Sequence, residues 1–430
     1  MFFTLYTLLL YLAAPFYFPF MAVKMALKGK GRAGIGQRLG FYDGGFKLAG
    51  GGSSVWVHAV SVGETLAAVP IVKALKERHP GVRVYFSTVT ETGNKVAKEN
   101  LSDDERIFFF PFDFPGVVGR AIDAIRPDVF VVVETEIWPN LLHALSKRGI
   151  PSVMVNGRIS RRSYRRYMWV KFLMGPVLAL FSRMNMQTAS DAERIKDMGA
   201  PPDRVGVTGN VKFDHACSAL KEGGKDVHTR ARLGIPDNAV VVIAGSTHAG
   251  EEEQVLTAYR RILESYPDAF LILAPRHPER NSEVGALLDR AGVKYKLKSS
   301  LTGGRLTGPG VILLDTMGEL AGLYRVGDIN FVGGSWAQVG GHNVLEPVAF
   351  GKPVFFGPVM HNFAEIGSML RDCGVGIEVK DGLELAKEAV RLLQEPERLD
   401  TLAKTAREAL LKNRGALGRN VSLIEGYLKG

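Results

Sequence analysis

Several short motifs in this chain set chemically able side chains directly after apolar runs. Three of these residues are acidic. Glu64 follows the run Val55–Val60 in HAVSVGET, and Glu134 and Glu136 follow VFVVV in VVVETEIWPN. A carboxylate at the mouth of a strand can take a proton from an attacking hydroxyl, and burying one without compensation is costly. Ser61-x-x-Glu64 is also the spacing of a capping box, and the pattern by itself favours that reading. Other motifs are suited to an anion. LILAPRHPER holds Arg276 and His277 between prolines, and the planar guanidinium fork grips phosphate. LLDTMGEL offers Met317, Gly318 and Glu319 at a strand-to-helix turn, where backbone groups can meet a nucleotide. FVGGSWAQVGGHNVLEP has four glycines, Gly333, Gly334, Gly340 and Gly341, that let backbone approach a ligand. A short helix is expected from about Asn343, with free N–H groups for an anion. Glu346 on it could accept hydrogen bonds from a ribose diol. A surface glycine loop with a helix-stabilising Glu fits that stretch equally well. Lys212 in VTGNVKFD is either a phosphate-facing cation or a solvated linker lysine.

The elements that must position these residues alternate. Strands are expected at Val55–Val60, Val82–Thr88, Ile107–Phe110, Val129–Val133 and Ser152–Asn156. Helices are expected between them at Glu64–Arg78, Gly116–Ile125 and Pro139–Lys147. After the polar stretch Leu220–Asp226 the pattern restarts, with strands at Val240–Ala244, Phe270–Ala274, Val311–Leu314, Ile329–Val332 and Pro353–Phe356. This spacing predicts two parallel, doubly wound sheets, each with its ligand cleft at the carboxyl ends of the strands. The two halves open with matching units: Gly63-Glu64 and Gly250-Glu251 each begin a helix, and Pro80 and Pro267 follow each Glu at the same distance. The last helices, about Leu383–Leu393, Pro396–Asn413 and Gly418–Leu428, have no strands between them.

Length and composition narrow the class. The chain has 430 residues, 46% hydrophobic and 23% charged, which describes a globular protein of two or three domains. Its two cysteines, Cys217 and Cys373, lack metal-ligand spacing and point to a reducing compartment. A net charge of +10 implies an anionic partner. No RNA-binding motif accompanies it, so nucleic acid is not expected. Met1–Val23 is uncharged and rich in Phe, Leu and Tyr, and about 20 such residues span a bilayer core. Lys24, Lys28, Lys30, Arg32 and Arg38 follow it. This order is the reverse of a cleaved signal peptide and predicts an uncleaved anchor with the rest of the chain in the cytoplasm. The run containing Arg161, Arg162, Arg165 and Arg166, interleaved with Tyr164, Tyr167 and Trp169, suits lipid headgroups or phosphates as a helix surface.

Taken together, HAVSVGETLAAVPIVKAL, ETEIWPNLL, VTGNVKFD, GSTHAGEE, LAPRHPER, DTMGEL and FVGGSW…GGHNVLEP closely resemble the bacterial 3-deoxy-D-manno-octulosonic acid (Kdo) transferases of lipid A biosynthesis. The resemblance implies a GT-B glycosyltransferase fold, two Rossmann-like domains facing a cleft. The expected division is an anchor and basic flank at 1–33, an acceptor domain at 34–208, a CMP-sugar domain at 209–395 and C-terminal helices at 396–430. The implied reaction moves Kdo from CMP-Kdo to the phosphorylated lipid A precursor at the inner face of the cytoplasmic membrane, with inversion. It needs no cofactor, and the absence of any Asp-x-Asp triplet fits a metal-independent enzyme. Glu64 matches the family's proton acceptor, and Glu134 and Lys212 match positions that stabilise the transition state. The CMP contacts fall on Pro275 and Arg276, on Met317, Gly318 and Glu319, and on Asn343, Val344, Leu345 and Glu346. Val344 stands where the family often has proline. Rival readings are a nucleotide-sugar epimerase of the same architecture and a membrane scaffold with a degenerate site.

Overall fold

A computed structural model describes residues 2–28, 33–43, 46, 52–214, 216, 229–301 and 310–428. The side chains of Lys24 and Lys28, all of Lys30 and Arg32, Cys217 and the polar stretch 220–226 lie outside what is described. The chain forms two compact units. Unit 1 is Met1–Asp214 with Arg414–Gly430, and unit 2 is His215–Asn413.

Unit 1 is built on seven parallel strands: β1 (Ser54–His58), β2 (Arg83–Thr88), β3 (Arg106–Phe109), β4 (Val129–Val133), β5 (Ser152–Gly157), β6 (Arg183–Met186) and β7 (Val205–Val207), in the order β3-β2-β1-β4-β5-β6-β7. The central strands read as unbroken apolar runs because helices cover both faces. Val55, Val57, Val129 and Val131 pack on one face, and Trp56, Tyr85, Phe108 and Phe130 on the other. Trp56 is fully buried and donates its indole N–H to Ser87 Oγ at 2.8 Å, which satisfies its polar atom. Removing such a ring costs about 3–5 kcal/mol. The C-terminal helix, Ala416–Glu425, returns to pack on the helix Val62–Arg78.

Unit 2 repeats the plan with β8 (Val241–Thr247), β9 (Phe270–Pro275), β10 (Tyr295–Leu297), β11 (Gly310–Leu313), β12 (Ile329–Val332), β13 (Val354–Phe356) and β14 (Gly376–Glu378), ordered β10-β11-β9-β8-β12-β13-β14. The order reverses between β1 and β4 in unit 1 and between β8 and β12 in unit 2. Those switch points open a crevice beyond the strands' carboxyl ends, the usual ligand site of such sheets.

The alternating pattern located the inner strands to within a few residues. It missed the helices Glu91–Asn100, Lys171–Leu178, Ala189–Asp197, Asn281–Arg290 and Ala364–Asp372, and strands β6, β7, β10 and β14. Arg-Met-Asn-Met, Val-Gly-Val, Tyr-Lys-Leu and Gly-Ile-Glu are short and mostly at or near sheet edges, where polar residues are tolerated and the apolar signal fades.

The N-terminal helix, Phe2–Lys28, contains a 19-residue stretch, Phe2–Phe20, long and apolar enough to cross a membrane. It does not stand clear of unit 1. Phe3 stacks on His143 at 4.2 Å, Tyr11 and Phe18 meet Phe114, and Phe18 also meets Phe112. Tyr6 donates to Asp113 at 3.0 Å and Thr7 to Asn140 at 2.9 Å. Leu5, Leu8, Leu9, Leu12, Phe16 and Phe20 remain more than half exposed. The helix is thus compatible with a membrane anchor that is also tied to the domain.

Candidate active site

The switch point of unit 1 gathers acids. Ser61, in extended backbone, ends the turn after β1, and the helix Val62–Arg78 begins there with Glu64 in its first turn. Glu64 reaches back: Oε2 accepts the Val60 N–H at 2.6 Å, and Ser61 Oγ donates to Oε1 at 3.0 Å. The cap is therefore real but displaced, since Ser61 turns its hydroxyl to the carboxylate and caps no helical N–H. Burial raises the pKa of Glu64, the Val60 N–H opposes this, and the charge of Glu134 raises it further. Glu134 ends β4 with a positive φ of 61°, rare for a residue with a side chain, and donates its N–H to Val155 O. Such strain at a strand end is held by its surroundings and recurs at functional sites. Glu136 completes the group. Burial, then Glu64 and Glu134, push it up to about 8. The motif had singled out Glu134 and Glu136 together, but only Glu134 was matched to a role. Glu136's coupling to Glu64 is visible only in three dimensions.

Lys212 sits in a helical turn starting at Val211. Asn156, at the end of β5 with φ 53°, accepts the Val211 N–H through Oδ1 at 3.1 Å. The Lys212 N–H donates to Asn210 Oδ1 at 3.0 Å. Lys212 is thereby brought beside the end of β5, one strand from Glu134. It belongs to unit 1 and not to a linker.

The basic run folds as the helix Arg161–Trp169, capped by Ser160, whose Oγ accepts the Ser163 N–H. Tyr164, Tyr167 and Met168 pack inward, while Arg161, Arg162, Arg165, Arg166 and Trp169 line an open depression of about 700 Å³. Trp169 is 88% exposed. Tyr167 links this surface to the acids, since Glu136 helps raise its pKa after burial.

The switch point of unit 2 gathers cations and backbone. Pro275 ends β9, and Arg276 is exposed, its N–H donating to Thr247 O at 2.9 Å. Arg276 is close enough to Glu346 and His342 to lower the pKa of both. Burial dominates at Glu346 and pushes it up to about 7, against an Asn343 amide donating at 3.2 Å. Met317 is exposed and Gly318 has φ 80°, while Glu319 pairs with Lys298, leaving backbone as the free part of that turn. The helix after the glycine loop is short, as expected, but starts after Asn343. It runs only from Leu345 to Ala349, and Asn343 Oδ1 already takes the Leu345 N–H. A helix dipole at Asn343 is thus not a source of anion binding here. Val344 and Leu345 are fully buried and hold the turn in place.

The loop from Gly333 is instead organised by a residue given no chemistry in the sequence reading. Glu251, 1% exposed, accepts five backbone N–H groups, from His248 at 2.9 Å, Gly334 at 2.7 Å, Ser335 at 3.0 Å, Trp336 at 2.8 Å and Ala337 at 3.2 Å. Gly333 must be glycine, because a Cβ there would lie 2.6 Å from Ser246 O. Glu251 matches Glu64 in the internal duplication but does different work. It is a structural keystone.

Two parallel seven-stranded sheets, each with candidate site residues at its strands' carboxyl ends, define a GT-B protein. A solved UDP-GlcNAc 2-epimerase from Neisseria meningitidis bound to UDP-GlcNAc has the same fold, with a TM-score of 0.54 over 84% of this chain and all of its own, at 15% identity. The family model for 3-deoxy-D-manno-octulosonic-acid transferase (kdotransferase) matches residues 33–215. A 3-deoxy-D-manno-octulosonic acid transferase of Haemophilus influenzae is 36% identical over 99% of this chain and 98% of its own length. One of Bordetella pertussis is 34% identical over 87% of each. The chain belongs to the 3-deoxy-D-manno-octulosonic acid transferase family, and it is a glycosyltransferase.

Proposed function

We propose that this transferase moves Kdo from CMP-Kdo to a phosphorylated lipid A precursor (lipid IVA) at the cytoplasmic face of the inner membrane, with inversion and without a metal. The observation that carries the reading is Glu64, an acid at the switch point whose pKa is raised beside Glu134 and Glu136. The Val60 N–H and the Ser61 hydroxyl engage two of its roughly four lone-pair sites, and the Ser61 N–H pulls on it as well, which still leaves room for a substrate hydroxyl. Glu64 takes the acceptor's proton as the new C–O bond forms at the Kdo anomeric carbon. The C–O bond to the CMP phosphate breaks, and its electron pair stays on the phosphate. Arg276 supplies positive potential to the charge that develops on the phosphate, and Lys212 is assigned to stabilising the transition state. Glu134 lies one strand away and acts on the oxocarbenium-like carbon.

CMP is assigned to Pro275 and Arg276, to the Met317–Glu319 turn, and to Asn343–Glu346. The acceptor's phosphates are assigned to Arg161, Arg162, Arg165 and Arg166, with Trp169 at the lipid interface. The exposed face of Phe2–Phe20 supports a membrane partner.

The epimerase rival shares the fold, so fold cannot separate the two. The test is incubation of the purified full chain with CMP-Kdo and lipid IVA, followed by mass analysis of the lipid. A gain of one or more Kdo masses is expected. An unchanged lipid together with epimerisation of a UDP-N-acetylhexosamine would overturn the reading.

A further inference from the structure

The strands flanking the switch point of unit 2 each deliver a histidine. His248 follows β8, and His342 closes the glycine loop after β12. Their Nε2 atoms are 2.8 Å apart, and the rings are parallel within 5° with centroids 5.1 Å apart. Nitrogens that close with centroids that far apart mean rings lying edge to edge in one plane. This is the geometry of an N–H···N hydrogen bond and not of face-to-face stacking. Such a bond has room for one proton, because two protonated rings would point N–H groups at each other.

The charges around the pair are mixed. His248 faces Glu251 and Glu252 on the helix Glu251–Ser265, and His277 and Arg280 beyond β9. His342 faces Arg276, His277 and His248. Burial first, and the Arg276 charge next, hold His342 down to about 4, and burial lowers His248 as well. The unliganded pair is therefore neutral near pH 7. Glu251 sets its geometry, since one carboxylate takes the His248 backbone N–H and four backbone N–H groups of the loop that leads to His342. Gly334 packs against the second ring, where a Cβ would lie 2.7 Å from His342 Cδ2.

We infer that the His248–His342 pair is an oxyanion-binding element of the donor site that takes up a proton as the donor arrives, with Glu251 as its positioning residue. This rests on the CMP-sugar reading above. The ligand chemistry is a single oxyanion of an activated acidic sugar, either its phosphodiester or its carboxylate. An arriving negative charge favours the protonated form of the pair, as any nearby opposite charge does. Between the free and the bound pKa, binding then takes up as much as one proton. Affinity falls as pH rises through that window, by up to about tenfold per unit.

The test is isothermal titration of the full chain with cytidine 5′-(methyl phosphate), whose charge is constant across the range, at pH 6.5 in two buffers of different ionisation enthalpy. Net proton uptake is expected, and it identifies the phosphodiester as the oxyanion. His342→Gln and His248→Gln should each abolish the uptake and weaken binding by roughly tenfold. Arg276→Ala should weaken binding and keep the uptake, because an arginine does not titrate there. If either histidine variant fails to fold, the other carries the test. Should the ester bind without uptake while kcat/KM for CMP-Kdo shows a pH dependence that the histidine variants lose, the oxyanion is the sugar carboxylate. Binding with no uptake in either measure overturns the proposal and leaves the donor reading standing. Failure to bind any cytidine nucleotide removes both.

Discussion

Glu64→Gln separates a proton acceptor from a helix cap, and the contacts of the side chain show how cleanly. Gln can keep both local bonds: its Oε1 accepts the Val60 N–H, and its amide donates to Ser61 Oγ once that hydroxyl rotates. A bond to a charged acceptor becomes a bond to a neutral one, a loss of about 1 kcal/mol. Relief of repulsion among Glu64, Glu134 and Glu136 offsets part of it. The melting temperature should therefore move by no more than about 4 °C. CMP affinity should hold, because the residues assigned to CMP all belong to unit 2. Turnover is another matter. An amide cannot accept a proton at neutral pH, and a positioned base contributes roughly 10²–10⁴-fold. That is about 2.7–5.4 kcal/mol of barrier at about 1.36 kcal/mol per tenfold. The assay is CMP release from CMP-Kdo with lipid IVA present, beside calorimetric CMP binding and a thermal melt. A Gln enzyme within about fivefold of wild type would remove the base and leave only the cap.

Other outcomes are open to direct measurement. Glu251→Gln should show the opposite pattern. One amide oxygen cannot serve five N–H groups, and the NH₂ would face donors, so a melt should report a loss of several kcal/mol, at about 1–3 kcal/mol per unsatisfied group. An unshifted melt would contradict the keystone role. Because the pKa of Glu64 is raised, activity should rise with pH along an acid limb above the usual carboxylate range. Since Glu134 contributes to that elevation, Glu134→Gln should move the limb to lower pH, and an unmoved limb would break the coupling. Arg276→Ala should cost about 2–4 kcal/mol in kcat/KM, while turnover survives EDTA. Abolition by chelation with rescue by magnesium would overturn metal independence. Deleting residues 1–23 should lower turnover on vesicle-borne acceptor, and it should also lower stability because Tyr6 and Thr7 leave Asp113 and Asn140. Unchanged stability would show those contacts to be idle.

Much of the molecule was legible in order along the chain. VFVVV, VWVH and FLILAP read as the inner strands of a covered parallel sheet, because each residue finds an apolar neighbour on one face or the other. Alternation with amphipathic helices then dictates two doubly wound units, and strand ends dictate where Glu64, Glu134 and Arg276 can appear. The edge strands escaped notice because an edge buries little. Two matters belonged to the tertiary structure alone. A Gly-Glu pair opens a helix after the first strand of each unit, yet Glu64 meets two other acids while Glu251 meets five N–H donors. That difference is made by the strand arriving next door, β4 in one unit and β12 in the other. The contact between His248 and His342, 94 residues apart, exists because β8 and β12 are neighbours in the sheet. Local pattern determines which element forms and which residues stand at its end. Only the order of strands decides which ends meet, and a carboxylate or an imidazole takes its chemistry from what it meets.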